Sequence, residues 1–209
     1  ADVPFDAPID APIDAPIDAP VDAPMDAPTD TSDAGPLPSV TDIACGRAHT
    51  CAVRDGAVYC WGSNDDGEVG TGSPSADVLL PVAVDLGSAS PAVQIAAAEE
   101  HTCARLEDGT VRCWGRNHAG PGGGQVNYRL GADNPVERVA SPIPATLTNI
   151  VDLGLGFGHS CAADDTQRVF CWGVNLSGEL GDGGNVSPPT PNLVASVSAT
   201  SVAAGDGPS

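Results

Sequence analysis

Short runs in which apolar and polar residues alternate occupy most of the chain, and they come in pairs. Residues 49–53 and 57–61 alternate with a period of two and meet at Asp55-Gly56. That period predicts half-buried strands, and Asp-Gly suits a two-residue hairpin turn whose central residues need φ > 0. A second pair meets at Glu107-Asp108-Gly109, which suits a three-residue loop with Gly in the left-handed position. A third meets around Asp165-Thr166-Gln167, where no Gly marks the turn type. The predicted fold class is all-β.

The hairpins belong to a longer repeat. One copy carries His49-Thr50-Cys51 and Val58-Tyr59-Cys60-Trp61-Gly62. The next carries His101-Thr102-Cys103 and Val111-Arg112-Cys113-Trp114-Gly115, and the third His159-Ser160-Cys161 and Val169-Phe170-Cys171-Trp172-Gly173. The tryptophans stand 53 and 58 residues apart. Each Trp-Gly leads to an Asn (Asn64, Asn117, Asn175) and then to Gly67-Glu68-Val69-Gly70, Gly120-Pro121-Gly122-Gly123 or Gly178-Glu179-Leu180-Gly181. A fourth copy starts at Val202, and Pro208-Ser209 aligns with His49-Thr50, one position before the expected Cys. This predicts a truncated array with copies at about 41–92, 93–150, 151–200 and 201–209.

Counting outward from the turns sets the register. Arg54 opposite Ala57 puts Cys51 opposite Cys60, and Leu106 opposite Thr110 puts Cys103 opposite Cys113. The third spacing pairs Cys161 with Cys171 in the same way. The first two pairs fall on non-hydrogen-bonded sites, where Cα atoms approach to about 4.5 Å, within disulfide reach. Three hairpin disulfides are therefore expected, and with them an oxidising compartment. Reduced, buried thiol pairs are the alternative; zinc would need four converging ligands, which separate hairpins do not supply. Cys45 is left over, and its counterparts Ala97, Leu155 and Ala204 suggest a small buried thiol.

Composition narrows the function. The chain has 28 acidic residues against 8 basic ones, all Arg, for a net charge of −20. Nucleic-acid binding relies on cations that neutralise phosphates, so that class is excluded. No apolar run reaches the roughly 18 residues of a membrane helix, so membrane insertion is not expected. Residues 2–30 place Asp at every fourth position, mostly separated by Ala-Pro-Ile. That Pro density forbids helix and predicts a disordered, extended tail over residues 1–38, acting as a stalk for the folded part at 39–209.

The His-Thr/Ser, Val-aromatic-x-Trp-Gly-x-Asn and Gly-x-x-Gly elements resemble the regulator of chromosome condensation repeat family. The cysteine-paired form looks like its exported bacterial members. The resemblance implies a β-propeller of four-stranded antiparallel blades, here a partial one. It departs from the family in Glu68, Glu179 and Pro121, which replace the family's Gln, and in Pro208, which replaces His. Stacked blades bury what one blade cannot. Trp61, Trp114 and Trp172 are then expected in inter-blade cores. His49, His101 and His159 are read as structural hydrogen-bonders. Gly62, Gly115 and Gly173 would allow close backbone approach. Asn64, Asn117 and Asn175 would pin the following turns.

No nucleophile elbow, phosphate loop or dinucleotide fingerprint occurs. No catalytic residue, cofactor or metal ligand is assigned. The sequence points to a secreted or cell-surface protein-binding scaffold, with nucleotide exchange on a small GTPase disfavoured. The alternative is the binding domain of a larger envelope enzyme. The expected binding loop is the long one in the second copy, with Asn117, His118, Gln125, Tyr128 and Arg129. The acidic balance suggests a basic protein partner.

Overall fold

The structure is a computed structural model that describes residues 39–117 and 128–205. The chain divides into two units, Ala1–Leu37 and Pro38–Ser209. The Asp-Ala-Pro tail and its proposed stalk role, together with His118, Gln125, Gly120-Pro121-Gly122-Gly123 and Pro208, lie outside the described residues.

The described residues form three four-stranded antiparallel sheets and no helix. The first blade holds β1 (Val40–Cys45), β2 (His49–Arg54), β3 (Ala57–Gly62) and β4 (Val78–Ala83). The second holds β5 (Ala92–Ala97), β6 (His101–Leu106), β7 (Val111–Arg116) and β8 (Arg138–Pro144). The third holds β9 (Ile150–Leu155), β10 (His159–Asp164), β11 (Arg168–Gly173) and β12 (Asn192–Ser198). Strands pair in chain order within each blade. Successive blades meet through their first two strands: β5 packs on β1 and β2, and β9 on β5 and β6.

The hairpin registers follow the turns. Cys51 faces Cys60, Cys103 faces Cys113 and Cys161 faces Cys171, each pair a disulfide. Their Cα atoms stand 4.1, 4.1 and 4.2 Å apart, as expected at sites where cross-strand residues lie closest. The third turn lacks Gly, so Gln167 takes the left-handed conformation itself, at φ 67°. Asp164 stabilises that turn by accepting from the N–H groups of Thr166 and Arg168 at 3.0 and 2.9 Å. An acceptor at the strand end thus offsets the strain that glycine avoids elsewhere.

The two larger apolar cores each lie between two blades. Val53, Val58, Val69 and Val84 of the first blade pack with Ile95, Leu106 and Trp114 of the second. Val111, Leu130 and Val139 of the second pack with Ile150, Leu153 and Trp172 of the third. Each buried indole donates to a main-chain carbonyl of the preceding blade. Trp114 Nε1 reaches the Glu68 carbonyl at 2.7 Å, and Trp172 Nε1 the Arg129 carbonyl at 2.9 Å. Trp61 lies on the side of the first blade opposite the second and is only half-buried.

The glycine after each Trp takes φ between 101° and 107°. A Cβ on Gly62 would stand 2.7 Å from the His49 Cα, so the β2–β3 strand ends close only over glycine.

A second joint was not legible in the sequence. A register shift separates Val40 from Asp42, Ala92 from Gln94, and Ile150 from Asp152 along the first strands. Such a bulge re-aims the next side chain. Asp42 Oδ2 accepts from the Ile95 N–H at 2.7 Å, and Asp152 Oδ2 from the Val202 N–H at 2.8 Å. Gln94 Nε2 donates to Asp152 Oδ1 at 2.7 Å.

Replacing a buried indole is costly because it forfeits its packing, leaves a cavity and orphans a carbonyl. Trp114→Ala is expected to destabilise the fold by about 3–5 kcal/mol, and Trp61→Ala by much less. Urea unfolding of the two variants beside the parent chain checks the difference; equal losses would contradict it.

Candidate interaction face

The turns between the first two strands of each blade, and the long loops between the last two, share one end of the sheets. In the first blade these are residues 46–48 and 63–77; the second uses 98–100 and, among the described residues, 117 and 128–137, the third 156–158 and 174–191.

One Asn organises each long loop. The Asn64, Asn117 and Asn175 side chains accept from the N–H groups of Val69, Leu130 and Leu180 at 3.1, 3.2 and 3.0 Å. Their amide groups donate back across the loop, Asn64 to the Ser73 carbonyl, Asn117 to that of Asn134, and Asn175 to those of Gly184 and Val186. All three are fully buried.

This pattern corrects the alignment of the second copy. The counterpart of Gly67-Glu68-Val69-Gly70 is Tyr128-Arg129-Leu130-Gly131, not Gly120-Pro121-Gly122-Gly123. Leu130 takes the bond that Val69 takes, Tyr128 has φ 25° where Gly67 has 83°, and Gly131 has 67° where Gly70 has 77°. Extra residues before the motif displaced it, and Tyr stands where the pattern has Gly.

The expected binding loop is narrowed accordingly. Asn117 and Arg129 are buried, so neither offers its side chain to a partner. Tyr128 is half-buried.

What the sequence did not reveal is the charge lattice on this face. Arg138 Nε donates to Asp66 at 2.7 Å, Arg116 reaches Glu100 at 2.9 Å, and Arg129 lies 3.4 Å from the same Glu100. Arg47 pairs with Glu99 at 3.3 Å. Half of the chain's 8 arginines thus sit here. Burial pushes the Glu68 and Glu99 carboxyls up, and the Glu100 charge adds to both. Burial pulls the Arg129 guanidinium down, against the attraction of Glu100.

The ends of β1, β5 and β9 line a half-open cavity of about 330 Å³. Cys45, Arg47, Ala97, Glu99, Leu155 and Phe157 line it. Cys45 is exposed here, which corrects the expectation of a buried thiol. Its strand ends at the cavity, so the position that is Ala or Leu in the other blades faces open space rather than core.

The histidines sit beneath this face at the blade joints. His49 Nε2 lies 2.8 Å from Thr102 Oγ1, and His101 Nε2 lies 3.0 Å from Ser160 Oγ. Thr102 donates its hydroxyl proton to the Glu68 carbonyl at 3.2 Å, so His49 must supply an N–H to it. The opposite ring nitrogens, Nδ1 of His49 and His101, are buried without a partner among the described residues. Among the described residues no cluster of three or more metal-ligating side chains occurs. None of the helices long and apolar enough to cross a membrane is found among them either.

Comparison with known proteins agrees with this architecture. The regulator of chromosome condensation (RCC1) repeat matches residues 55–105 and 167–209. A second description of the same repeat matches residues 40–68, 92–120 and 150–179. The ultraviolet-B receptor UVR8 of Arabidopsis thaliana is 30% identical over 172 residues, covering 80% of this chain and 36% of the receptor. Human WBSCR16 superposes with a TM-score of 0.65 at 22% identity, over 76% of this chain and 38% of that one. Yeast RCC1 (Prp20), solved with Kap60 bound, gives 0.63 at 24% identity, over 78% and 39%. The chain thus spans little more than a third of the length of these relatives.

Burial holds the His49 pKa at about 4, below its ordinary 6.5. An unfolded chain therefore takes up this proton at a higher pH than the folded one. His49 contributes fully above about 6.5, and its contribution falls as pH drops towards 4, by up to about 3 kcal/mol. The stability advantage of the parent chain over His49→Asn is expected to shrink across that window in urea titrations. An advantage independent of pH would contradict the assignment.

Proposed function

The chain belongs to the regulator of chromosome condensation (RCC1) repeat family, and from that premise we propose that it is an extracytoplasmic protein-binding scaffold that acts by contact rather than catalysis. The observation that carries the reading is the face just described. Turns from three consecutive blades converge there on one cavity, with an exposed Phe157 beside paired arginines. Aromatic and Arg side chains are common anchors of protein interfaces. Rigid blades beneath them keep the ordering cost of binding low.

The three hairpin disulfides support an oxidising location, because such bonds persist outside reducing compartments. The yeast relative, solved with Kap60 bound, is a protein with this fold that has a protein partner, which supports the reading. Fold alone does not carry an activity, so the reading rests on the face.

A photo-crosslinking amino acid in place of Phe157 is expected to capture a discrete protein in the native host. The same group in place of Ser88, exposed at the opposite end of the blades, should capture none. Equal capture from both ends, or none from either, would overturn the proposal.

A further inference from the structure

We propose that the cavity at the ends of β1, β5 and β9 receives an acidic segment of a partner protein, with one apolar side chain in the cavity and a carboxylate on Arg47. The inference rests on the scaffold reading above and specifies its partner. It also runs against the net charge of −20, which by itself favours a basic partner.

Exposure decides between the two. The carboxylates at and beside the cavity turns are recessed: Asp66, Glu99 and Glu100 side chains keep only 11, 15 and 17% of their surface, while the exposed Asp65, Asp77, Asp133, Glu137 and Asp182 belong to the long loops. Glu68 is buried. At the cavity itself the exposed charge is guanidinium, with the Arg47 side chain 69% exposed against 15% for Glu99. Arg47 gives Nη1 to Glu99 and turns the rest of its fork outward. A guanidinium fork matches a carboxylate geometrically. Distant acidic groups are screened within roughly 8 Å at physiological salt, so the groups in contact set the preference.

Arg138 also projects, but Glu137 and Asp65 stand near it in addition to its partner Asp66. Arg47, paired with the recessed Glu99, stands at the rim of the cavity, beside Ala97, Leu155 and Phe157. Phe157 is 46% exposed, too much for a core aromatic. The cavity, about 330 Å³, lies at the low end of ligand-pocket volumes, which run from ~300 to 1,000 Å³, and suits a side chain better than a cofactor. Cys45 on its wall is a built-in reporter of occupancy.

The test uses the full chain and a fluorescent synthetic peptide with one Leu flanked by aspartates. Two control peptides replace the Leu with Gly or the aspartates with lysines. The acidic Leu peptide is expected to bind best and to slow alkylation of Cys45. Arg47→Glu should weaken it about tenfold and shift the preference to the lysine peptide. Arg138→Glu should change affinity by less than about threefold. Both arginines are exposed, so the variants should keep the parent's near-ultraviolet tryptophan signal.

Equal or tighter binding of the lysine peptide, indifference to Arg47→Glu, or an unprotected Cys45 would each overturn the proposal. Concentration-dependent self-association abolished by Arg47→Glu would do the same, by making a second copy the occupant. If peptide binding fails while photo-crosslinking at position 157 still captures a partner, only the acidic chemistry is wrong. If both fail, the scaffold reading falls too.

Discussion

One main-chain carbonyl holds the first two blades in place. The Glu68 carbonyl accepts from the Trp114 indole and from the Thr102 hydroxyl, both on the next blade, and Thr102 is in turn held by His49. A four-stranded sheet has two faces and cannot bury either alone, so blade stacking is the condition for a core. The carbonyl can be buried only because it is doubly satisfied. Asn64 fixes the loop that presents it, and glycine at position 70 leaves room for the indole, whose Nε1 would lie 2.9 Å from a Cβ there. The second joint repeats the device with Asn117, Arg129, Gly131 and Trp172.

Because the latch uses main chain, the side chain at that position is free to vary. It is Glu in the first and third blades and Arg in the second. Arg129 then reaches Glu100 and joins the charge lattice of the face, while its carbonyl still takes Trp172. Structure and surface chemistry are thus separable at a single residue. Beside the cavity Glu99 and Glu100 are recessed while Arg47 is exposed, so the contact chemistry there differs from the acidic average of the chain.

The sequence revealed what local rules govern. Asp55-Gly56 and Gly109 set hairpin registers by counting, and the facing cysteines followed from them. The third turn resisted because its left-handed residue is Gln167, made tolerable by Asp164 one strand-end away. The second Gly-x-x-Gly was misplaced because Tyr128 occupies a glycine-like conformation after extra residues. The bulge-aimed Asp42, Gln94 and Asp152 do share a repeat position, just before Ile43, Ile95 and Leu153. That regularity was visible, but its meaning needed the neighbouring blade. The charge lattice was beyond reach for a similar reason: Asp66 and Arg138 are 72 residues apart and meet only across a joint.

Disulfide-pinned hairpins build the blades while one thiol stays open at the face, and it is these bonds that support the proposed place outside reducing compartments. Intact mass of the protein from its native host, with thiol labelling in the absence of reductant, tests this most directly. One label, on Cys45, is expected, with six cysteines lost to three bonds. Labelling of all 7 cysteines, or of none, would contradict it.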